Sequence, residues 1–335
     1  MRKRIFAILL CLLFVFTSCG KNTECFICPE CPRCGYPEEH QPQGRPELAG
    51  GLMDVFVFGI GRSDAILITT ENHAILIDTG ENQHGDPIAG TLLSRGITSL
   101  DYLIITHFDR DHVGGAHRII NFLDVQNIVV PNYSRLTRHV QRFESAMENA
   151  GIEPIVLTEP MSFVLDGAHF VIDPSDLPYM SIDVEDIEDE YDDFEEEDDD
   201  DDDAEFIATG DDFSLIVKIG HGRNDFLFMG DATTHRRQQL LDCDDFMAME
   251  FDFIKVGRHG RWDRRTNRFV NHIATNAKYA VVTGFCPSEA DIYYPERPTD
   301  DRIIERFQNG GTEMFYTMNS HFRIRSDGRE LFLQD

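Results

Sequence analysis

Four potential metal ligands stand within one short segment, His107-x-Asp109-x-Asp111-His112, followed by Val113-Gly114-Gly115. Imidazole and carboxylate together suit zinc, manganese or iron. The segment follows an apolar run, Tyr102–Thr106. A strand end sets side chains at the rim of a core, where a cation is both held and reached. Gly114 and Gly115 are read as letting the backbone turn sharply into a helix. A cluster this compact cannot surround two cations alone, so further ligands must come from elsewhere in the chain.

Three candidates share the same context, an acidic or imidazole side chain at the end of an apolar strand. Asp78 ends Ala74–Ile77 and precedes Thr79-Gly80. Its expected role is to orient other ligands or shape the turn. Asp231 follows Phe226–Met229 and Gly230, where a carboxylate can bridge two cations. His259 sits in Gly257-Arg258-His259-Gly260 after Phe253–Val256, and is the best distant imidazole. Around it stand Arg258, Arg261, Arg264, Arg265 and Arg268, with Trp262, the only tryptophan. Guanidinium groups bind phosphates bidentately and an aromatic stacks on a base. Arg258, Arg261 and Trp262 are therefore the candidate substrate contacts, for an anionic small molecule or a nucleic acid.

The elements that must position these residues alternate along the chain. Met53–Phe58, Ala65–Thr69 and Ala74–Asp78 read as strands, Pro87–Arg95 as a helix with Asp86 as N-cap and Gly96 as its stop. Tyr102–Thr106 and Asn127–Val130 read as strands around a helix at Gly115–Phe122. A helix over Ser134–Ala150 ends at Gly151, and strands follow at Pro154–Leu157 and Phe170–Asp173. The alternation resumes with strands Phe213–Ile219 and Phe226–Met229, helix Thr234–Leu241, strand Asp252–Val256, helix Arg264–Ala274 and strand Tyr279–Thr283. Helix Arg302–Gln308 and strands Glu313–Tyr316, Phe322–Arg325 and Leu331–Leu333 close the chain. This pattern specifies a layered α/β fold without choosing among such folds.

The order Ile77-Asp78-Thr79-Gly80, then His107-x-Asp109-x-Asp111-His112, then Met229-Gly230-Asp231-Ala232, then Lys255-Val256-Gly257-Arg258-His259-Gly260 resembles the metallo-β-lactamase superfamily. Within it the chain is most similar to the hydrolase-like domain of ComEC-type competence proteins. That group also has Asp where most of the superfamily has the second His of H-x-H-x-D-H. The opening Val55-x-Val57-x-x-Gly59-x-Gly61-x-x-Asp64-Ala65-Ile66-Leu67-Ile68 resembles its first strands.

The resemblance implies an αββα four-layer sandwich. It implies two divalent metal ions, zinc with manganese as the alternative, and a hydroxide between them as nucleophile. His107 and Asp109 would hold the first ion; Asp111, His112 and His259 would hold the second, and Asp231 would bridge. Asp111 and Asp78 carry the catalytic assignment. Asp109 in place of His adds oxygen character, which favours manganese or magnesium. The chain departs from the family at two places. Gly210–Leu215 lacks a further His, leaving Asp211, Asp212 and His221 open as substitutes, and Arg258 stands where ComEC-like chains often have the first His of His-His-Gly.

The 335 residues carry 60 acidic against 30 basic side chains, a formal net charge of −30. Such a charge disfavours tight non-specific binding to nucleic acid or anionic membranes. Much of it lies in an acidic tract, expected as a disordered insertion at about 184–205. Arg2, Lys3 and Arg4 before the apolar Ile5–Phe16 read as an export signal. Thr17-Ser18-Cys19 resembles a lipoprotein signal, so residues 1–19 are expected as leader and Cys19 as a lipidated anchor to the bacterial envelope. Residues 20–50, rich in Pro and Cys, are expected as a tether, and residues 51–335 as the folded domain. Behind a leader the array Cys25, Cys28, Cys31 and Cys34 favours disulfides over metal. Cys243 and Cys286 read as core thiols, with pairing as the alternative.

The functional expectation is an exported metal-dependent hydrolase of phosphodiester or other phosphate-bearing substrates. Hydrolysis of a lactone, thioester or β-lactam is the alternative within the fold. A degenerate binding module without catalysis is the alternative outside it.

Overall fold

The computed structural model describes residues 51–182, 208–262, 266–284, 299–318 and 320–334. The expected leader, tether, Cys25–Cys34 array, acidic insertion and Cys286 lie outside them. No helix among the described residues is long and apolar enough to cross a membrane.

Strands β1 (Met53–Val57), β2 (Ile66–Thr69) and β3 (Ala74–Ile77) form an antiparallel meander. Helix α1 (Gly85–Ser94) and a two-residue strand β4 (Ser99–Leu100) lead to β5 (Tyr102–Ile104), which runs parallel to β3. Two short helices follow, α2 (Arg110–Val113) and α3 (Ala116–Phe122), then β6 (Asp124–Val125) and β7 (Ile128–Pro131). Helix α4 (Arg138–Ala150) connects to β8 (Ile155–Leu157). The second half opens with four antiparallel strands, β9 (Met161–Leu165), β10 (Ala168–Asp173), β11 (Ile216–His221) and β12 (Asn224–Phe228). Then come α5 (Thr234–Leu241), α6 (Asp244–Met247), β13 (Phe253–Lys255), α7 (Thr266–Ile273), β14 (Tyr279–Val282), α8 (Asp301–Asn309), β15 (Glu313–Tyr316), β16 (Phe322–Ser326) and β17 (Leu331–Leu333).

These strands make an eight-stranded sheet, β17-β16-β1-β2-β3-β5-β7-β8, and a seven-stranded sheet, β15-β14-β13-β12-β11-β10-β9. Alternate side chains of a strand face opposite ways, and the cores divide accordingly. Val55, Ile66, Ile75, Ile104 and Val129 of the first sheet meet Phe170, Val217, Phe226, Phe253 and Val281 of the second. On its other face the first sheet turns Phe56, Leu67, Leu76 and Leu103 toward Ile88, Leu92, Ile119, Val140 and Phe143 of α1, α3 and α4. The second sheet turns Ile216, Leu227, Ile254 and Ala280 toward Leu240, Phe246, Phe269, Ile303 and Phe307 of α5 to α8. The layers are thus helix, sheet, sheet, helix, as the resemblance implies.

Several element expectations are corrected. Helix α4 starts at Arg138 because Thr137 holds an extended backbone and its side chain accepts from the Val140 N–H; Ser134 instead bridges to Ser181. Its other end agrees with expectation, since Gly151 caps it in the left-handed conformation. Asp86 lies inside the first turn of α1, and the cap position falls on His84. Phe213 belongs to a 3-10 turn, Gly210–Phe213, rather than to β11. Strand β9 and helix α6 were not expected from the sequence. Cys243 is buried but disulfide-bonded, not a free core thiol.

Asp54 ties β1 to the neighbouring β16, accepting from Arg325 Nε and Nη2 at 2.9 Å each and from Arg323 Nη2 at 3.0 Å. Burial alone would raise its pKa, but the two guanidiniums outweigh that and hold the carboxyl below its ordinary value. A depressed folded-state pKa gives stability that is present above the unfolded value and lost as pH falls through the folded one. Asp54→Asn is expected to cost about 1 kcal/mol at neutral pH. In urea unfolding, the gap between wild type and variant should shrink steadily as the pH is lowered below about 4.

Candidate metal centre

Parallel strands β3 and β5 of one sheet and β12, β13 and β14 of the other all end at one edge of the sandwich. Ligands of open α/β sheets gather outside the carboxyl ends of such strands. Asp78 follows β3, His107 and Asp109 follow β5, Asp231 follows β12, and His259 follows β13. Asp111 and His112 belong to α2. Gly114 and Gly115 have ordinary negative φ. They are needed for close approach, since a Cβ on Gly115 would lie 2.4 Å from the Thr79 carbonyl oxygen and one on Gly114 2.3 Å from that of Arg110. This packing seats α2 against the turn after β3.

Three imidazoles present themselves in the same way. His107 Nδ1 lies 3.0 Å from Thr106 Oγ1, whose own hydrogen goes to Asp78 Oδ2 at 2.7 Å. The hydroxyl must therefore accept from His107 Nδ1–H. His112 Nδ1 lies 2.9 Å from Asp78 Oδ2, and His259 Nδ1 lies 2.7 Å from the Thr283 carbonyl oxygen. Each neutral ring thus carries its hydrogen on Nδ1 and its lone pair on Nε2. The Nε2 atoms of His107 and His112 are buried and have no hydrogen-bond partner. A buried orphan nitrogen is costly unless something fills its lone pair.

Carboxylates surround these nitrogens. His112 Nε2 is 3.6 Å from Asp231 Oδ1 and 3.9 Å from Asp111 Oδ2. His259 Nε2 is 3.1 Å from Asp111 Oδ2 and 3.4 Å from Asp231 Oδ2. Asp231 therefore faces both imidazoles with different oxygens. Two overlapping clusters of metal-ligand type result, His107–His112–Asp231 and Asp111–His112–His259.

A further cluster joins His107, Asp109 and Asp211. It decides among the three substitutes left open by the sequence. Asp211 Oδ1 lies 3.5 Å from His107 Nε2. Asp212 accepts from the Thr209 N–H and hydroxyl and from Thr233 Oγ1, and is spent on capping. His221 is bonded to Ser326 at the far end of β11. The 3-10 turn aims one of two adjacent aspartates into the pocket and turns the other away.

The charges treat the two buried imidazoles of the loop differently, and burial with the neighbouring His112 holds His107 below its ordinary value. Burial lowers the pKa of His112, but Asp231, Asp78, Asp111 and Asp64 outweigh it and raise it well above the ordinary value. Burial raises Asp231, yet His259, His112 and Lys255 hold it well below the carboxylate range. Burial, reinforced by Asp109, pushes Asp211 well up. A pocket that draws positive charge to His112 and keeps the buried His107 Nε2 without a partner fits a divalent cation.

Arg258 and His259 both hold positive φ, 52° and 50°. The turn places Arg258 Nε 3.2 Å from Asp211 Oδ2. Arg135, unmarked in the sequence, bonds Asp109 Oδ1 from the other side. Trp262 is half-buried against the outer core, and the guanidiniums of Arg302 and Arg306 stand 4.4 and 4.8 Å from its ring. Arg268 is exposed on α7, Arg261 is half-buried beside the turn, and Arg264 and Arg265 lie outside the described residues.

A family model described as the metallo-beta-lactamase superfamily matches residues 58–284, and the chain belongs to that superfamily of hydrolases. In keeping with the likeness to the ComEC-type domain, ComE operon protein 3 of Bacillus subtilis (strain 168) is 23% identical over 248 residues. That match covers 69% of this chain but spans only 28% of the length of the relative. Among solved structures, the metallo-beta-lactamase fold protein YhfI from Bacillus subtilis is similar at TM-score 0.49 and 11% identity, covering 82% of this chain and all of that one (100%). A CmlA beta-hydroxylase variant is similar at TM-score 0.47 and 13% identity, covering 82% of this chain and 54% of that one.

Proposed function

We propose that the protein is an envelope-located hydrolase of phosphodiester or other phosphate-bearing substrates, working with two divalent cations, zinc or manganese. The observation that carries this reading is the shared orientation of three imidazoles. His107, His112 and His259 each have Nδ1 tied and Nε2 turned toward a carboxylate.

His107, Asp109 and Asp211 would hold one ion, and Asp111, His112 and His259 the other, with Asp231 between them. Cations bound there would supply a nucleophile from water at neutral pH and offset charge on the attacked centre. The protein's own groups set the geometry. Asp78 fixes the His112 ring and, through Thr106, the His107 ring; Thr283 fixes His259. Arg135 and Arg258 flank the His107 cluster on opposite carboxylates. Guanidinium pairs at that mouth suit an anionic, phosphate-bearing substrate better than a neutral lactone or amide.

The disulfide at Cys243 supports location in an oxidising compartment, because such bonds are rare in the cytosol. Anchoring through a lipid on Cys19 belongs to the same reading.

A substrate panel tests it. With added manganese or zinc, a bis-aryl phosphodiester should be cleaved, and chelation should remove at least about 99% of the rate. Cleavage of lactones, thioesters or β-lactams without the phosphodiester would replace the substrate assignment. No metal uptake and no hydrolysis would replace it with a binding module.

A further inference from the structure

The pocket contains one buried cation that the proposed chemistry does not use. Lys255, the last residue of β13, is fully buried. Its ammonium contacts Asp64 Oδ2, lies 3.7 Å from Asp231 Oδ1 and donates to the Gly230 carbonyl at 3.3 Å. Asp64, just before β2, is buried as deeply.

Asp64 touches every part of the second cluster. Its Oδ1 accepts from Thr283 Oγ1, and Thr283 holds His259 Nδ1. Its backbone N–H donates to the Asp111 carbonyl at 3.1 Å, and its carbonyl accepts from the Gly80 N–H at 2.7 Å. Its Oδ2 lies 3.9 Å from His112 Nδ1. Asp64, Asp78 and His112 are close enough together to be taken for a third ligand set. Their atoms are already engaged, however: Asp64 by Lys255 and Thr283, and Asp78 by Thr106 and His112 Nδ1.

We propose that Asp64 and Lys255 are a buried positioning pair that keeps Asp231 and His259 free to bind a cation. The inference rests on the metal-binding reading of the pocket. An ammonium enclosed beside Asp231 competes with any cation for the Asp231 oxygens. Asp64 supplies the opposite charge that holds the ammonium away from Asp231, and through Thr283 it fixes the His259 ring. Neutralising Asp64 leaves Asp231 as the nearest carboxylate, and Lys255 turns to it. Removing Lys255 as well takes the competitor away. The pair therefore acts through relative charge, and the damage from one substitution is undone by the other.

Zinc affinity of the full chain, measured by competition with a chromophoric chelator, tests this independently of activity. Circular dichroism should follow folding in parallel. Asp64→Asn is expected to weaken zinc binding about 10- to 100-fold. Adding Lys255→Met should restore at least about tenfold of that loss, a reversal that a merely structural role would not give. Unchanged affinity in Asp64→Asn, or a double variant no better than the single one, would overturn the proposal. Should Asp64→Asn fail to fold, the near-isosteric Thr283→Val decides. A loss of about threefold or more supports the pair and unchanged affinity overturns it. Wild type that takes up no zinc would overturn the metal reading itself, whereas wild-type uptake with indifferent variants would overturn only the pair.

Discussion

Asp231→Ala is expected to lower phosphodiester turnover by about 10³-fold or more, with bound metal falling below one ion per chain. Its two oxygens face different imidazoles, His112 and His259, so one substitution reaches both cation positions. The fold should survive. Asp231 sits at the end of β12, and although its loss takes a partner from His259, His112 and Lys255, it opens no gap in the hydrophobic cores. Lys255 keeps Asp64 as partner, and the Arg258 N–H keeps the Gly230 carbonyl within 3.3 Å. A folded protein without metal is the outcome to measure, by unfolding and metal analysis side by side. A folded variant that retains full turnover would remove Asp231 from the chemistry.

Asp78→Ala should act through stability as well as through the metal. Asp78 is buried, accepts from the Thr106 N–H at 2.8 Å and from the Thr106 hydroxyl, and holds His112 Nδ1. Its loss leaves an amide, a hydroxyl and an imidazole without their acceptor inside the protein. Removing one partner of such a buried charged group costs about 3–5 kcal/mol. Asp78 also has φ 56°, a conformation that alanine adopts less readily than aspartate. Metal affinity should drop about 10- to 100-fold in whatever fraction stays folded, because two imidazoles lose the group that orients them. Asp78 does not face the cation clusters through a free oxygen, so its part is to position other side chains. Metal affinity equal to wild type in folded Asp78→Ala would contradict that role.

Much of the fold was legible because its central strands are apolar on both faces. Ala74–Ile77 and Ile128–Pro131 lie fully buried between helices and the opposite sheet, and uninterrupted runs of this kind are hard to miss. Strand β9 was not legible. Its residues Met161 to Leu165 lie at a sheet edge, none of them buried and two of the five exposed, so no apolar face marks them. The start of α4 depended on Thr137 as a cap, and the serine at 134 offered an equally plausible beginning until its bridge to Ser181 was seen.

The compact histidine loop could be read directly, since its ligands are neighbours in the chain. Asp211 could not be chosen over Asp212, because adjacent aspartates differ only in which way a 3-10 turn points them. Arg135 had no signal at all, for an arginine before a helix is common and only the fold brings it to Asp109. Lys255 and Asp64 stood within the family motifs, yet neither a lysine ending a strand nor an aspartate before one shows in sequence that it is buried. Burial is what gives them meaning. The arginine-rich stretch after His259 was visible, but the partners of Trp262 come from α8, far along the sequence.

The most direct test is the metal content of the purified protein after equilibration with zinc or manganese and removal of free ion, compared with that of His112→Ala. His112 Nε2 faces Asp111 and Asp231 in the cluster that would hold the second ion. Wild type should carry about two ions per chain and the variant about one or fewer, both folded. A wild-type chain that emerges without metal, or a variant that binds as much as wild type, would contradict the metal-binding reading.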